Sequence, residues 1–199
     1  YEQQWALPVI GAPEAWLEMP VDAPTVMVAV IDSGVCADHS DLAGRIEAGW
    51  DFYEDDADPQ DTFGHGCAVT GVIAANINDG IGMAGVAPNA QVMPLRVLDG
   101  SGVGTYSDVA AAMVYAVEHG AQVINLSLGG AYPSSVLEDA VNYAVAHDVT
   151  VVAAAGNTGT VGVLYPAAYE PVVAVGSVDQ DLERSSFSTY GPEIDLWAP

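Results

Sequence analysis

The feature that most constrains this chain is a series of short strand-like runs, several of them nearly unbroken in apolar residues, separated by stretches of helical character. The runs fall at residues 26–31, 47–52, 92–97, 123–128, 149–154 and 172–177. A strand that alternates apolar with polar residues buries one face, whereas one that is apolar throughout must be covered on both. Helical patterning at residues 65–75, 107–119 and 135–147 supplies the covers. Strands alternating with helices make an α/β fold around a parallel sheet with right-handed crossovers. No linker, repeat or low-complexity tract breaks the pattern, so a single domain over residues 1–199 is expected.

Local signals refine the helices. Ser135 and Glu138 have the spacing of a capping box, and Gly120 is placed to end the middle helix. In the first helix the residues after His65, Gly66-Cys67-Ala68-Val69-Thr70-Gly71-Val72-Ile73, carry no charge. That pattern predicts a helix buried all round. No apolar stretch approaches the roughly 20 residues needed to span a bilayer. Tyr1-Glu2-Gln3-Gln4-Trp5 has no basic, apolar leader character, so a secreted form is expected to be already mature or trimmed.

Charge bounds the partners. There are 27 acidic residues against three arginines (Arg45, Arg96, Arg184), giving a formal net charge of -24. A field of that sign repels nucleic acid and anionic membranes and favours cations. Such surfaces suit high salt, where screening removes the self-repulsion.

The chemistry concentrates at few positions. Asp32 closes the first apolar run, His65 stands between Gly64 and Gly66 at a helix start, and Asn157 follows Gly156 just beyond another run. In open α/β sheets, sites form outside the carboxyl ends of strands. An Asp there fixes the tautomer of a His, and a side-chain amide can donate to a developing oxyanion. Together they describe acyl transfer once a nucleophile joins them. Taken singly, Asp32 is a turn residue, His65 an ordinary imidazole and Asn157 a turn former. His119 and His147 end helices and His39 sits in a turn, so these read as structural. Cys36 and Cys67 follow closely on Asp32 and His65. They come near enough to bond if those residues meet, but a pair of small buried thiols fits the sequence equally. Cys67 lacks an activating base and is not read as a nucleophile.

The segments Val30-Ile31-Asp32-Ser33-Gly34, His39-Ser40-Asp41-Leu42, Gly64-His65-Gly66, Gly85-Val86-Ala87-Pro88, Leu126-Ser127-Leu128-Gly129-Gly130 and Ala154-Ala155-Gly156-Asn157 resemble, in order, those of the subtilisin-like serine proteases. Gly49-Trp50-Asp51-Phe52 and Ser185-Ser186-Phe187-Ser188-Thr189-Tyr190-Gly191 are similar to the thermitase branch. The chain departs from the family at Cys67 and Ala68, where Thr and His are usual.

The resemblance implies a three-layer α/β/α fold with a mostly parallel central sheet. It implies an endopeptidase acting on extended polypeptides, with Asp32 as triad acid, His65 as general base and Asn157 as the oxyanion amide. Gly100, Ser101 and Gly102 would pair with extended substrate, and Tyr106 would line an outer apolar subsite. Ser127, Leu128 and Gly129 with Ala154, Ala155 and Gly156 would wall the specificity pocket. The family's Gly-Thr-Ser-Met nucleophile segment lies beyond the Ala-Pro at which this sequence stops. The expectation is therefore a truncated, nearly inactive chain, extracellular, whose partners include its own propeptide or a separate C-terminal fragment.

Calcium is the expected cofactor. Asp51, Glu54, Asp56, Asp58 and Gln60 crowd oxygen ligands into one loop, as hard cations require. A second site would combine Asp41 with Asn76, Asp79, Ile81 and Met83, with Glu2 or Gln3 as a further ligand. A weaker site would use Glu193 and Asp195. The alternative is a non-catalytic peptide-binding or calcium-binding module on the same scaffold. A nucleotide-binding reading of Gly100-Ser101-Gly102-Val103-Gly104 misses the dinucleotide spacing and is discounted.

Overall fold

A computed structural model describes residues 3–20 and 22–199. Helices α1 (Ala6–Val9) and α2 (Ala12–Glu18) lead into β1 (Val26–Asp32), β2 (Trp50–Asp51), α3 (His65–Ala74) and β3 (Ala90–Arg96). Then come α4 (Tyr106–Glu118), β4 (Val123–Leu126), α5 (Ser135–Ala146), β5 (Thr150–Ala154), β6 (Val173–Ser177) and β7 (Leu196–Ala198). The strands form one seven-stranded sheet in the order β2-β3-β1-β4-β5-β6-β7. Every pairing among them is parallel.

The continuous apolar runs do what full coverage demands. On β1, Ala29 and Ile31 pack with Met113 of α4 and Val141 of α5, while Val28 and Val30 pack with Ala74 and Val69 of α3. The result is a three-layer α/β/α arrangement, α3 on one face and α4 with α5 on the other. Strand β1 is central: the chain runs from it to β2 and β3 on one side, then returns to build β4 to β7 on the other. Connections leave the carboxyl ends of β1 and β4 in opposite directions, and such a divergence opens a crevice at those ends. No helix among the described residues is long and apolar enough to cross a membrane.

Several local expectations change. The strand expected over 47–52 reduces to Trp50–Asp51. Segment 45–47 does hydrogen-bond to Val92, but pairing lapses at Gly49, whose α-carbon sits against Pro94 with no room for a side chain. The run at 123–128 leaves the sheet after Leu126, which frees Ser127 and Leu128 to line a cleft. No capping box forms at Ser135. The N-cap is Ser134, without a side-chain cap bond, and Glu138 donates its amide to the Ser134 carbonyl. Helix α4 starts one residue early because Thr105 accepts from the Asp108 amide at 3.1 Å. Gly120 does end α4: in a left-handed conformation, it donates to Val117 while Ala121 donates to Ala116. Helix α3 is not buried all round, for Ala68 and Val72 face solvent and only its other side meets the sheet. An uncharged helix marks low polarity, not burial on every side.

Candidate active site

Strand β1 delivers Asp32 to the centre of the sheet's carboxyl edge, where it is fully buried. Its Oδ1 accepts from the Ser33 amide at 2.7 Å. Helix α3 begins at His65, whose Nδ1 lies 2.7 Å from Asp32 Oδ1 and 2.9 Å from Oδ2. The imidazole side chain is 43% exposed. A buried carboxylate on Nδ1 fixes that nitrogen as the donor and leaves Nε2 as an acceptor, the tautomer of a general base.

The start of α3 is held from outside the helix. Its N-cap, Gly64, has no side chain to offer. Instead Ser33 Oγ accepts from the Gly66 amide at 2.9 Å, and Asp61 Oδ2 accepts from Cys67 at 2.8 Å. Asp61 Oδ1 further accepts from Phe63, Gly64 and the Ser33 hydroxyl. Burial pushes the Asp61 carboxyl up, but bonds from Gly64, Cys67, Phe63 and Ser33 together outweigh it and hold it below the ordinary value. Cys36 and Cys67 are joined in a disulfide with α-carbons 5.3 Å apart, which settles what the sequence left open.

His65 lines a cleft of about 470 Å³ with Phe63, Leu98, Tyr106, Ser127, Leu128 and Gly129. A neighbouring depression of about 270 Å³ is lined by Ser127, Ala154, Ala155, Gly156 and Asn157. Ser127 belongs to both and links the His65 side to the Asn157 side. Its hydroxyl accepts from Asn125 Nδ2 at 3.0 Å. Asn157 is exposed on a loop pinned by the buried Thr189, whose hydroxyl accepts from the Thr158 amide at 3.1 Å. Tyr106 is the first residue of α4 and donates its hydroxyl to the Tyr132 carbonyl.

Gly100, Ser101 and Gly102 form a turn, not an extended edge. Asp99 Oδ1 accepts from the amides of Ser101 and Val103 and from the Ser101 hydroxyl. The Ser101 hydroxyl and then those amides hold the Asp99 carboxyl below its ordinary value. Phe63 lies over Gly102 with its ring 6.5 Å from that of His65. Sequence reasoning missed Phe63, Asp61 and Thr189. Only Asp61 left a signal, an acid placed shortly before a helix whose own cap is glycine.

The metal candidates divide. Asp41 is buried, its Oδ2 accepts from Met83, and its Oδ1 has no hydrogen-bond partner. An orphaned buried carboxylate oxygen fits a cation ligand. Asn76 presents its carbonyl oxygen to Arg45 at 2.8 Å, and Asp79 accepts from Ile81. Glu2 lies outside the described residues. In the other loop Asp51 is fully buried, its Oδ2 2.6 Å from Arg96 Nη1, while its Oδ1 accepts from Tyr53 and Glu54. That carboxylate already has its cation. Asp56 accepts from Asp58, and Asp195 from Ala174. Among the described residues no three His, Cys, Asp or Glu side chains gather as a metal centre. His39 accepts from the Asp41 amide, and His119 and His147 bond to Tyr115 and Tyr143 carbonyls one turn back.

Comparison with known proteins places this geometry. A model of the subtilase family matches residues 24–199. Thermitase of Thermoactinomyces vulgaris is 46% identical over 197 residues, covering 99% of this chain and 70% of that protein. The thermophilic serine proteinase of Bacillus sp. (strain AK1) is 49% identical over 86% of this chain, which spans only 43% of it. The crystal structure of a cold adapted subtilisin-like serine proteinase superimposes with a TM-score of 0.82 at 37% identity, covering 91% of this chain and 65% of that one.

Proposed function

The chain belongs to the subtilase family, and on that footing we propose that it is the acid-and-base portion of a serine endopeptidase acting on extended polypeptides. The observation that carries the reading is the Asp32–His65 pair, a buried carboxylate on Nδ1 of a half-exposed imidazole. Asp32 orients the ring and stabilises the imidazolium that forms when Nε2 takes a proton. Asn157 donates to the oxyanion of the tetrahedral intermediate. The clefts that meet at Ser127 receive substrate, with Ala154, Ala155 and Gly156 opposite Ser127, Leu128 and Gly129.

The nucleophile in this reading is a serine hydroxyl presented to His65 Nε2 from outside the described residues. Among the described residues the His65 ring bonds only Asp32 and no serine hydroxyl: Ser33 serves Asp61 and Gly66, and Ser127 accepts from Asn125. Calcium, in the same reading, is bound at Asp41 with the loop of Asn76, Asp79, Ile81 and Met83, where it would neutralise a buried carboxylate and hold the loop. The disulfide suits an oxidising, extracellular setting.

The test is labelling and turnover. The 199-residue chain is expected to hydrolyse an extended peptide at least about 10⁶-fold more slowly than an intact subtilisin, the type case in which removal of the serine has that effect. The full product of the reading frame is expected to react with a fluorophosphonate at one serine, and His65→Ala to abolish that reaction. Turnover by the 199-residue chain near that of an intact protease overturns the division of labour. A full product that binds peptide but never labels establishes the non-catalytic module instead.

A further inference from the structure

We propose that the Cys36–Cys67 disulfide is a positioning device for the Asp32–His65 pair, and that a dithiol reductant can release it. The inference rests on reading Asp32 and His65 as acid and base. The two residues reach each other by unequal routes. Asp32 is fixed by the central strand and is fully buried. His65 stands at the first position of a helix reached only after residues 33–64, which pass through β2 at the edge of the sheet. That helix grips the sheet through Val69, Ile73 and Ala74, which belong to its later turns.

Its first turn has no comparable grip. Gly66 lies against the Gly34 backbone so closely that no side chain fits between them. Glycine on glycine permits proximity but contributes little apolar burial to hold it. What ties this turn to the end of β1, besides the Asp32–His65 contact itself, is the Ser33–Gly66 hydrogen bond, the Asp61 carboxylate that accepts from both Ser33 and Cys67, and one covalent link. Cys36 lies four residues after Asp32 and Cys67 two after His65, so the link joins the two sequence segments that carry the pair. A disulfide at this point fixes the distance between Asp32 and the His65 backbone more directly than a hydrogen bond can.

Both cysteines are half-buried and line an open depression of about 440 Å³ beside His39, Leu42, Ala68 and Met83. A small dithiol has access there. Its thiolate attacks one cysteine sulfur, the S–S bond breaks, and the displaced cysteine takes a proton. The second thiol then closes the reagent's own disulfide and frees the other cysteine. Two electrons and two protons pass from the dithiol to the protein, and the reagent leaves oxidised.

The experiment uses the 199-residue chain, isotopically labelled, before and after treatment with dithiothreitol, with thiol titration confirming reduction. The readouts are the low-field His65 Nδ1 proton held by Asp32 and the amide exchange of Gly66 and Cys67. On reduction the low-field proton is expected to broaden or vanish, and the two amides to exchange at least about tenfold faster, while amides of α4 and β4 keep their protection. Reoxidation is expected to restore the signal, and a Cys36→Ala/Cys67→Ala chain to match the reduced form. An unchanged Nδ1 proton and unchanged Gly66 exchange in a chain with free thiols overturn the proposal. Loss of protection in α4 and β4 as well overturns it in favour of a general fold staple. Neither readout involves hydrolysis, so phosphonate labelling of the full product stands or falls separately.

Discussion

The hydroxyl of Ser33 donates to Asp61 Oδ1 at 2.9 Å while accepting the amide of Gly66, also at 2.9 Å. One small side chain thus connects the end of β1, an acidic loop and the start of α3. A helix leaves its first amides unsatisfied, and α3 meets that need with a Ser–Asp pair drawn from outside itself. The pair accepts from Gly64, Gly66 and Cys67, the residues on either side of His65, so the capping of this helix and the placing of that imidazole are one arrangement.

Removing the pair's carboxylate tests this. Asp61→Ala is expected to cost about 0.5–2 kcal/mol, the range for losing a helix cap. The pH dependence has a definite sign. The folded-state Asp61 carboxyl lies below its ordinary value, so its contribution is present above the unfolded value and is lost as pH falls through the folded one. Urea unfolding of wild type and Asp61→Asn should therefore differ near neutrality and converge in acid. A difference that persisted at low pH would contradict the assignment.

The Arg96–Asp51 contact makes a second prediction. Both side chains are buried and 2.6 Å apart. Breaking such a pair from one side leaves an uncompensated charge and typically costs about 3–5 kcal/mol, whereas replacing both by apolar residues is often neutral. Arg96→Met is expected to destabilise strongly, and Arg96→Met with Asp51→Leu to recover much of the loss. Asp51 also accepts from Tyr53 and Glu54, so recovery should be partial. A double-mutant cycle in urea measures the coupling.

How much of this was legible in the sequence depends on what each feature needs. The β1 run announced a two-faced strand because Val28, Ala29, Val30 and Ile31 are all apolar, and both faces are covered. The meeting of Asp32 with His65 was readable only because ordered motifs suggested it. The disulfide and the role of Asp61 depend on which loops touch, and chain order does not encode that distance. The exposed Ala68 and Val72 show the converse limit: an apolar helix face says nothing of whether anything covers it. Asp51 looked like a calcium ligand beside Glu54, Asp56 and Asp58, but its partner Arg96 comes from a neighbouring strand. Strand β7 left no signal because it is three residues long.

Net charge supplies a third prediction. With 27 acidic residues against three basic ones, the folded chain repels itself. Sodium chloride shortens the screening length from about 10 Å at 0.1 M to about 3 Å at 1 M. The unfolding midpoint is expected to rise over that interval. A flat or falling midpoint would show that local pairing already absorbs the charge.

Calcium should act on top of that general effect. Asp41 Oδ1 is buried without a partner, so a cation there binds the folded state alone and stabilises it by mass action, about 2.7 kcal/mol at a hundredfold excess over Kd. The expected result is a midpoint that rises with calcium at fixed ionic strength in wild type and does not in Asp41→Asn. The two chains should lie close together in chelator, since Asn keeps an acceptor for the Met83 amide. A calcium response that survived in Asp41→Asn would move the site elsewhere.

The close approach of α3 to β1 can be tested by adding one carbon. Glycine inside a helix is worse than alanine by roughly 0.8–1.0 kcal/mol, so propensity alone favours Gly→Ala. At Gly66 the new methyl would collide with the Gly34 carbonyl oxygen, a backbone atom that cannot rotate away. Overpacking of that kind costs about 1–3 kcal/mol or more, so Gly66→Ala is expected to destabilise and to displace His65. Gly71, one turn on, meets only the Met83 sulfur at 3.3 Å. A thioether can shift, so Gly71→Ala is expected to be near neutral or stabilising. The two substitutions share a helix and a chemistry and differ in what opposes the methyl. Opposite signs in urea unfolding, with the low-field His65 proton lost only in Gly66→Ala, would tie the geometry of the pair to this contact. Equal effects would mean that helix propensity, not the approach to Gly34, governs the first turn.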